Sequence, residues 1–393
     1  MLNHSLTAFY QAAIEHELPI AMWRVPNSTE KQAIVAWSNN PQPRKLDFTQ
    51  QVAGFAFSPF INRDGQATLF IKADVYFKEA RQPELMTPLE LVDQPLWTSF
   101  LASYQNNAPR PLSTWHLPTH AKTNAFYNQA EFCHLVEQAI GYMRSTHLQK
   151  IVASRAIDVP LQPTFNLLHL FELLCERYPR AMVSLVSMPQ VGTWIGASPE
   201  ILLTQTNSCL KTIALAGTQA YHPEQPLPQV AWGQKEVVEQ ALVSEYIRDL
   251  LQELEVTDFV ENGPKTVVAG NVVHLRTSFT LEAEHRRLAR LSNQILDKLH
   301  PTSAVCGMPR QEALDFILTH EGYDREFYAG FLGPVRLHGQ SQLYVNLRCM
   351  QLQATKAVAY VGAGITVDSN PQAEWEETIL KSNTLLSVLP LAS

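Results

Sequence analysis

Residues 360–386 constrain the fold more strongly than any other part of the sequence. They open with an apolar, β-branched run, which predicts a strand that ends in the glycines Gly362 and Gly364. Asn370-Pro371 then predicts the start of a helix, since Asn caps helices and Pro is favoured in the first turn. We therefore expect a strand, a glycine turn that lets the backbone approach a ligand, and a helix in succession.

The predicted helix carries a charged face. Glu374, Glu377 and Lys381 stand at i, i+3 and i+7, a spacing that an ordinary solvated helix also uses for pairs of opposite charge. Together with the glycine turn, these groups suit an anionic substrate held partly through a divalent cation. The glycines match neither a dinucleotide fingerprint, because Val367 stands three residues after Gly364, nor a P-loop.

Bulk properties exclude several classes of function. With 393 residues, 46% hydrophobic and 17% charged, the chain is typical of a globular protein of one large or two smaller domains. A net charge of −7 argues against nucleic acid or an anionic membrane as a partner. We expect a cytoplasmic protein, because no signal peptide or long apolar run is evident. Five cysteines without a Cys-x-x-Cys pair predict buried free thiols.

The succession of elements favours an α+β fold with antiparallel sheets over a regular βαβ succession. Residues 1–124 read as short strands with one early helix, and a Pro-rich loop at 106–123 separates them from residues 125–393. In the second part, helices are predicted at 125–147, 165–178, 234–254, 281–299 and 309–319. Strands are predicted at 150–159, 183–186, 193–197, 209–216, 266–269, 343–348 and 357–361, with a loop at 217–233.

Five charged residues stand where chemistry is conceivable, although each also has an ordinary structural explanation. Lys150 opens a strand, where lysines are usually solvated, and Glu200 lies on a turn after a strand. Lys235 and Glu239 could form a simple i, i+4 pair on a helix. Arg348 ends an apolar strand, and its planar fork suits a carboxylate.

In these segments the chain resembles the chorismate-utilising enzymes. The resemblance covers residues 125–390 and holds only loosely before them. It implies a single large α+β unit of two packed antiparallel sheets with helices outside, the fold of anthranilate and aminodeoxychorismate synthases. The matching segments, all in the family's order, are Lys150-Ile-Val-Ala-Ser-Arg155, Gly196-Ala-Ser-Pro-Glu200, Leu215-Ala-Gly-Thr218, Lys235-Glu-x-x-Glu239, His274-Leu, His300-Pro-Thr-Ser-Ala-Val-Cys-Gly-Met-Pro309, Asp324-Arg-Glu-x-Tyr-Ala-Gly330, Leu347-Arg-Cys349, Gly362-Ala-Gly364 and Glu374-Trp-x-Glu-Thr-x-x-Lys381.

Two positions indicate which nucleophile attacks the ring. Aminodeoxychorismate synthases typically carry a nucleophilic lysine where this chain has Ala216, and anthranilate synthases carry glutamine where it has Lys150. The combination resembles the isochorismate synthases, in which water attacks C2 of chorismate and the C4 hydroxyl leaves. A lysine base needs a pKa lowered by its surroundings, and a glutamic acid that protonates the leaving group needs a raised one.

The resemblance implies a role for each site residue. Lys150 would be the general base and Glu200 the general acid, and Glu239 and Glu377 would bind Mg²⁺. The implied chorismate-binding residues are Gly217, Thr218, His274, Ala304, Arg348, Gly362, Gly364 and Lys381. One departure is that Val237 and Val238 stand where relatives often have polar residues, which puts the polar surroundings of the metal site in question.

Two alternatives stay open. A salicylate synthase would form isochorismate and then expel pyruvate, although Ser303-Ala304-Val305 is closer to the non-lyase group. A silent chorismate-binding subunit of an amidotransferase complex would not need both Lys150 and Glu200. We expect a monomer that works without a glutaminase, and menaquinone or siderophore synthesis as its pathway, with a preference for menaquinone.

Overall fold

Two antiparallel sheets form the protein in a computed structural model that describes residues 5–62, 65, 67–79, 84–86, 94–106, 115–119, 128–269 and 272–389. In chain order the strands are β1 Ile20–Arg24, β2 Lys31–Val35, β3 Gly54–Ser58, β4 Leu69–Lys72, β5 Val75–Glu79, β6 Glu84–Met86, β7 Lys150–Pro160, β8 Met182–Met188, β9 Gly192–Ser198, β10 Ile201–Gln205, β11 Cys209–Ala220, β12 Phe259–Ala269, β13 Val272–Glu282, β14 Gly307–Met308, β15 Phe331–Val335, β16 Ser341–Val345, β17 Cys349–Leu352 and β18 Lys356–Ile365.

The first sheet has ten strands in the order β14-β7-β18-β17-β9-β8-β1-β2-β5-β6, and the second has eight in the order β12-β13-β11-β10-β16-β15-β3-β4.

Helices cover the sheets. In the described residues they are α1 Leu6–Glu15, α2 Pro95–Gln105, α3 Gln129–Ser145, α4 Leu167–Arg177, α5 Gln234–Glu253, α6 His285–Leu299, α7 Arg310–His320 and α8 Pro371–Leu386. Local sequence fixes where two of them begin. Asn128 and Glu131 form a reciprocal capping box on α3, and the Asn370 side chain accepts the Ala373 N–H at the start of α8.

The strands of the first sheet are apolar on both faces, which explains two separate cores. In β1, Ala21 and Trp23 belong to the core to which both sheets contribute, whereas Ile20 and Met22 face a second core built with α1, α2 and α4. Successive side chains of a strand point to opposite faces, so all five residues of β1 are buried. A helix layer on the outer face is therefore required to keep this sheet out of water.

The N-terminal region continues both sheets. Strands β1, β2, β5 and β6 extend the first sheet from β8 outward, and β3 and β4 extend the second from β15. Rings from both regions meet in the shared core, where Phe57 stacks on Phe327 with centroids 3.9 Å apart. The proposed division at residue 124 lies outside the described residues.

The predicted α+β class with two antiparallel sheets is confirmed, but several local predictions are wrong or incomplete. Gly362 and Gly364 lie inside β18 and form no turn. Strands β10, β13, β14, β15 and β17 were not predicted; in β13, polar residues alternate with the apolar ones. The loop assigned to 217–233 begins later, since β11 runs through Gly217 to Ala220.

Smaller differences concern the ends of the chain and the thiols. Strands β1, β5 and β6 and helix α2 lay outside the elements predicted for the N-terminal region. All five cysteines are free, as predicted, but only Cys306 and Cys349 are fully buried. In the part of the chain that the structure describes, no helix is long and apolar enough to cross a membrane.

Close contact between strands predicts a large effect of one methyl group. Gly333 in β15 has a φ of +149°, and a Cβ atom there would lie 1.9 Å from the Gln342 carbonyl oxygen. We expect Gly333→Ala to lower the free energy of unfolding by about 3 kcal/mol, the upper end for overpacking. Gly141→Ala is the control, because no atom lies within 4 Å of its Cβ in α3 and alanine there should stabilise by roughly 0.5–1 kcal/mol. Urea unfolding measures both, and equal midpoints would contradict the prediction.

Candidate active site

A small polar cavity lies where the two sheets meet. Its walls come from strands β7 and β18 of the first sheet, β11 and β13 of the second, helices α5 and α8, and four loops. The volume is about 50 Å³, and the lining residues are Val152, Pro199, Glu200, Leu215, Ala216, Gly217, Thr218, Glu239, His274, Ala304, Val305, Tyr328, Leu347, Arg348, Gly362, Gly364 and Lys381. Such a concave site with convergent polar groups is the form that small-molecule sites take.

Three ion pairs surround this cavity. Lys150 Nζ lies 2.8 Å from Glu239 Oε1, and Lys381 Nζ lies 2.6 Å from Glu377 Oε1. Lys235 Nζ lies 2.5 Å from Glu374 Oε1. The Lys150 and Glu374 side chains are each only 1% exposed, so each charge is tolerated only because its partner is in place.

Glycine at position 364 makes room for the first of these pairs. A Cβ atom there would lie 2.5 Å from Glu239 Oε1 and 3.2 Å from Lys150 Cε. At Gly362 a Cβ would lie 2.9 Å from the Tyr328 hydroxyl oxygen, and the Gly362 carbonyl accepts from Lys381 Nζ at 3.1 Å. The glycines thus allow charged side chains from two helices to approach the strand backbone closely.

Glu200 is a buried acid. It lies in the short connection between β9 and β10, where its N–H donates to Ser198 Oγ at 3.3 Å. Burial raises the pKa of its carboxyl group to about 7, although the cations of Lys150, Arg348 and Lys381 act in the opposite direction. Near neutral pH Glu200 can therefore hold a proton and donate it.

Glu239 has the opposite character. Burial alone would raise its pKa, but Lys150 above all, with Lys235 and Lys381, lowers the pKa to about 2. Its second oxygen accepts the Gly217 N–H at 3.2 Å. Glu374, by contrast, has a raised pKa because of burial and the nearby Glu377. The cavity is therefore lined by two carboxyl groups in different states, an acid that holds a proton at Glu200 and an ionised carboxylate at Glu239.

His274 is neutral and has one fixed tautomer. Burial, reinforced by Arg348 and Lys381, lowers its pKa to about 3. The carbonyl of Gly217 can only accept, so the 2.6 Å contact requires a proton on Nδ1 of His274. The buried Nε2, which has no protein partner, is left as an acceptor at the cavity.

The chain matches the family of chorismate binding enzymes over residues 61–390. The chain belongs to the chorismate-binding enzyme family. Its relatives include isochorismate synthase EntC of Escherichia coli K12, 29% identical over 75% of this chain and 76% of that one. Isochorismate synthase MenF of the same strain is 30% identical over 72% of this chain and 65% of that one.

Solved structures of the family have the same fold. The menaquinone-specific isochorismate synthase MenF from Escherichia coli superposes with a TM-score of 0.76 at 23% identity, covering 98% of this chain and 92% of that one. Anthranilate synthase component I from Streptococcus pneumoniae TIGR4 superposes with a TM-score of 0.64 at 18% identity, over 93% and 90% of the two chains. At these identities the comparison establishes the fold alone.

The structure brings together the residues that the sequence singled out for chorismate binding. Ten of the twelve line the cavity, namely Glu200, Gly217, Thr218, Glu239, His274, Ala304, Arg348, Gly362, Gly364 and Lys381. The other two, Lys150 and Glu377, are ion-paired to Glu239 and Lys381. Their roles in this family member remain predictions.

Two details differ from the expectations. Lys235 pairs with Glu374 on another helix and makes no ion pair with Glu239. Arg348 lies in the connection before β17, beyond the end of β16, with a φ of +49°.

Val152 and Tyr328 also line the cavity, although neither was predicted as a site residue. Both lie within segments quoted for the family resemblance, but an apolar or aromatic residue carries no sequence signal of a site.

The carboxylates fit a hard divalent cation. Glu239 and Glu377 supply oxygen ligands, and Mg²⁺ is commonly held by one or two carboxylates together with water and substrate oxygens. Within the described ranges no group of three or more His, Cys, Asp or Glu side chains is arranged to hold a metal. These carboxylates therefore suit a cation whose remaining ligands come from the substrate, and not a cation that is coordinated by protein side chains alone.

Gly364→Ala tests the close packing of the site. We expect chorismate affinity to fall at least about tenfold, the effect of 1.4 kcal/mol, because the new methyl group displaces Glu239 from Lys150. The matched control is Gly233→Ala, whose Cβ would also meet a carboxylate oxygen, Glu236 Oε2 at 2.6 Å, but on a half-exposed side chain that can move. Calorimetric titration with chorismate measures both; unchanged affinity in the first variant would refute this packing argument.

Proposed function

We propose that this chorismate-binding enzyme converts chorismate to isochorismate, an isomerisation in which water adds at C2 and the C4 hydroxyl group leaves. One observation carries the proposal. A buried acid with a raised pKa, Glu200, lines the cavity, the buried Lys150 is paired with the lining residue Glu239, and Ala216 supplies no competing amine. The relatives named isochorismate synthase support the same reaction.

The reaction needs one proton removed and one supplied. Water must lose a proton as its oxygen bonds to C2, and we assign Lys150 as the acceptor, which requires that its ammonium group first lose its own proton and leave the ion pair with Glu239. The C4 oxygen must gain a proton as its bond to carbon breaks, and we assign the donor to Glu200. The raised pKa of Glu200 keeps its proton available near pH 7, which suits a general acid.

Separate groups hold the substrate's carboxylates. Arg348 and Lys381 provide cationic donors, and Arg348 can grip a carboxylate with two parallel bonds. His274 cannot supply charge but offers Nε2 as an acceptor, which suits a substrate hydroxyl. Ala304 adds an apolar wall.

We further propose Mg²⁺ as the cofactor, held by Glu239 and Glu377. When bound, the ion would neutralise a substrate carboxylate and help to orient it. Lys150 and Lys381 are ion-paired to the same two carboxylates, so an ion held by Glu239 and Glu377 would compete with these lysines for the carboxylate oxygens.

The first prediction for the reaction concerns the base. Lys150→Gln should lower kcat about 10²–10⁴-fold, the usual contribution of a general base, while chorismate still binds. The control is Lys356→Gln, because Lys356 opens the neighbouring strand and pairs with Asp158 at the surface. Isochorismate formation and chorismate affinity are measured separately. Turnover within about tenfold of wild type would remove Lys150 from the mechanism.

The second prediction concerns pH. Since Glu200 must be protonated to act and its pKa is about 7, log(kcat/KM) should bend downward near pH 7 and then fall with a slope of −1 as pH rises. Glu200→Gln should lose most activity and also lose this basic limb. A wild-type profile that is flat to pH 9 would show that Glu200 is not the acid.

The third prediction concerns the cation. Glu239→Gln and Glu377→Gln should each weaken Mg²⁺ binding and, with it, chorismate binding in the presence of Mg²⁺. The control is Glu376→Gln, an exposed carboxylate on the same helix. Titration calorimetry with Mg²⁺ reads out the effect directly, and full activity after exhaustive chelation would contradict a metal requirement.

The leading alternative is a salicylate synthase, which would add pyruvate elimination at the same site. Salicylate fluorescence and pyruvate release from purified protein and chorismate separate the two, since stoichiometric pyruvate would favour the alternative. A silent subunit of an amidotransferase complex would show no turnover at all.

We also propose that the protein is a cytoplasmic monomer that works without a glutaminase subunit. As its pathway we propose menaquinone rather than siderophore synthesis, because the structural neighbour from Escherichia coli is named as menaquinone-specific.

A further inference from the structure

A buried ion pair lies behind one wall of the cavity and takes no part in the chemistry described above. Arg325 and Glu321 are 2% and 1% exposed. Arg325 Nε donates to Glu321 Oε2 at 2.8 Å, and Arg325 Nη2 donates to Glu321 Oε1. A pair this deeply buried is costly to form and gains little stability over an apolar pair, so its presence calls for a reason in its geometry.

The pair connects two backbone segments that both line the cavity. Arg325 Nη1 donates to the Val305 carbonyl at 2.8 Å, and Arg325 Nη2 donates to the Val152 carbonyl at 2.6 Å. Glu321 Oε1 accepts the Ser154 N–H at 2.7 Å. One guanidinium and one carboxylate therefore bind both strand β7 and the loop 302–306, and they reinforce a direct backbone contact in which the Val152 N–H donates to the Cys306 carbonyl at 2.9 Å.

Those two segments carry the groups that face the substrate. Strand β7 begins with Lys150, and Val152 on the same face of the strand lines the cavity. The loop supplies Ala304 and Val305. The ring of Phe60 also stacks beneath the guanidinium, 4.4 Å from Arg325 Cζ, which fixes its plane.

We propose that Arg325 and Glu321 are positioning residues that fix the distance between the base-bearing strand and the Ala304–Val305 wall, and thereby restrict how the substrate side chain sits. This inference rests on the proposed isochorismate-forming function. The planar fork is needed because its donors reach both backbone carbonyls and the carboxylate together, which a lysine ammonium cannot reproduce. Displacement of a positioning group by about 1 Å can cost roughly 10²-fold in rate.

The test compares two buried arginines. Arg325→Lys retains the charge but loses the fork, and we expect kcat/KM for isochorismate formation to fall about 10²-fold, with a higher KM and more pyruvate released per isochorismate. Arg24→Lys is the matched control. Arg24 is also 2% exposed and binds only backbone carbonyls, among them those of Tyr178 and Ala181, away from the cavity. It should lower the melting temperature without altering KM or the product ratio of the folded enzyme.

Each outcome decides the question. If Arg325→Lys lowers only the melting temperature, as Arg24→Lys does, the pair is a folding element and the proposal is wrong. If Arg325→Lys does not fold, Glu321→Gln replaces it with the same expected changes; failure of both to fold, with Arg24→Lys folded, also refutes a positioning role. The affinity of each variant for chorismate is measured by calorimetry alongside. If the wild-type protein binds chorismate but forms no isochorismate, the proposed function is refuted, and the comparison of chorismate affinities between the variants stays valid.

Discussion

The burial of opposite charges at the meeting of two sheets is the constraint on which the site depends. Lys150 on a strand and Glu239 on a helix are kept out of water within 2.8 Å of each other, and neither would be tolerated alone. Gly364 supplies the space for that contact. Sheet packing, helix placement and glycine position therefore serve one electrostatic arrangement.

This arrangement gives very different pKa values to two glutamate carboxyl groups that have the same intrinsic chemistry. Glu200 has cations nearby, yet burial dominates and keeps its pKa near 7. Glu239 is held at about 2 by its lysines despite burial. Opposed pKa values in one cavity are how an enzyme assigns acid and anion roles near neutral pH. The chain belongs to the chorismate-binding enzyme family, and its relatives include proteins named isochorismate synthase.

Much of the fold class and the composition of the site could be predicted from sequence, and the reasons for the exceptions are physical. The resemblance to the chorismate-utilising enzymes located Lys150, Glu200 and Lys381, because each of them also has an ordinary structural explanation when it is considered alone. The glycines of β18 were misread as a turn, since sequence does not show whether a glycine serves backbone freedom or the approach of a side chain from another element. Strand β13 escaped notice because its partly exposed face is polar. The sequence also did not show which carboxylate each lysine pairs with. Lys235, for example, forms its ion pair with Glu374 on α8.

The central claim is that the enzyme activates a water molecule for attack at C2 while Glu200 releases the C4 oxygen. Turnover of chorismate in H₂¹⁸O, with mass analysis of isochorismate after one pass through the site, tests that claim most directly. The account predicts one ¹⁸O atom per isochorismate, located at the C2 hydroxyl. Isochorismate that carries no solvent oxygen would contradict it, because the C4 hydroxyl would then have moved within the molecule and Lys150 would have no water to activate.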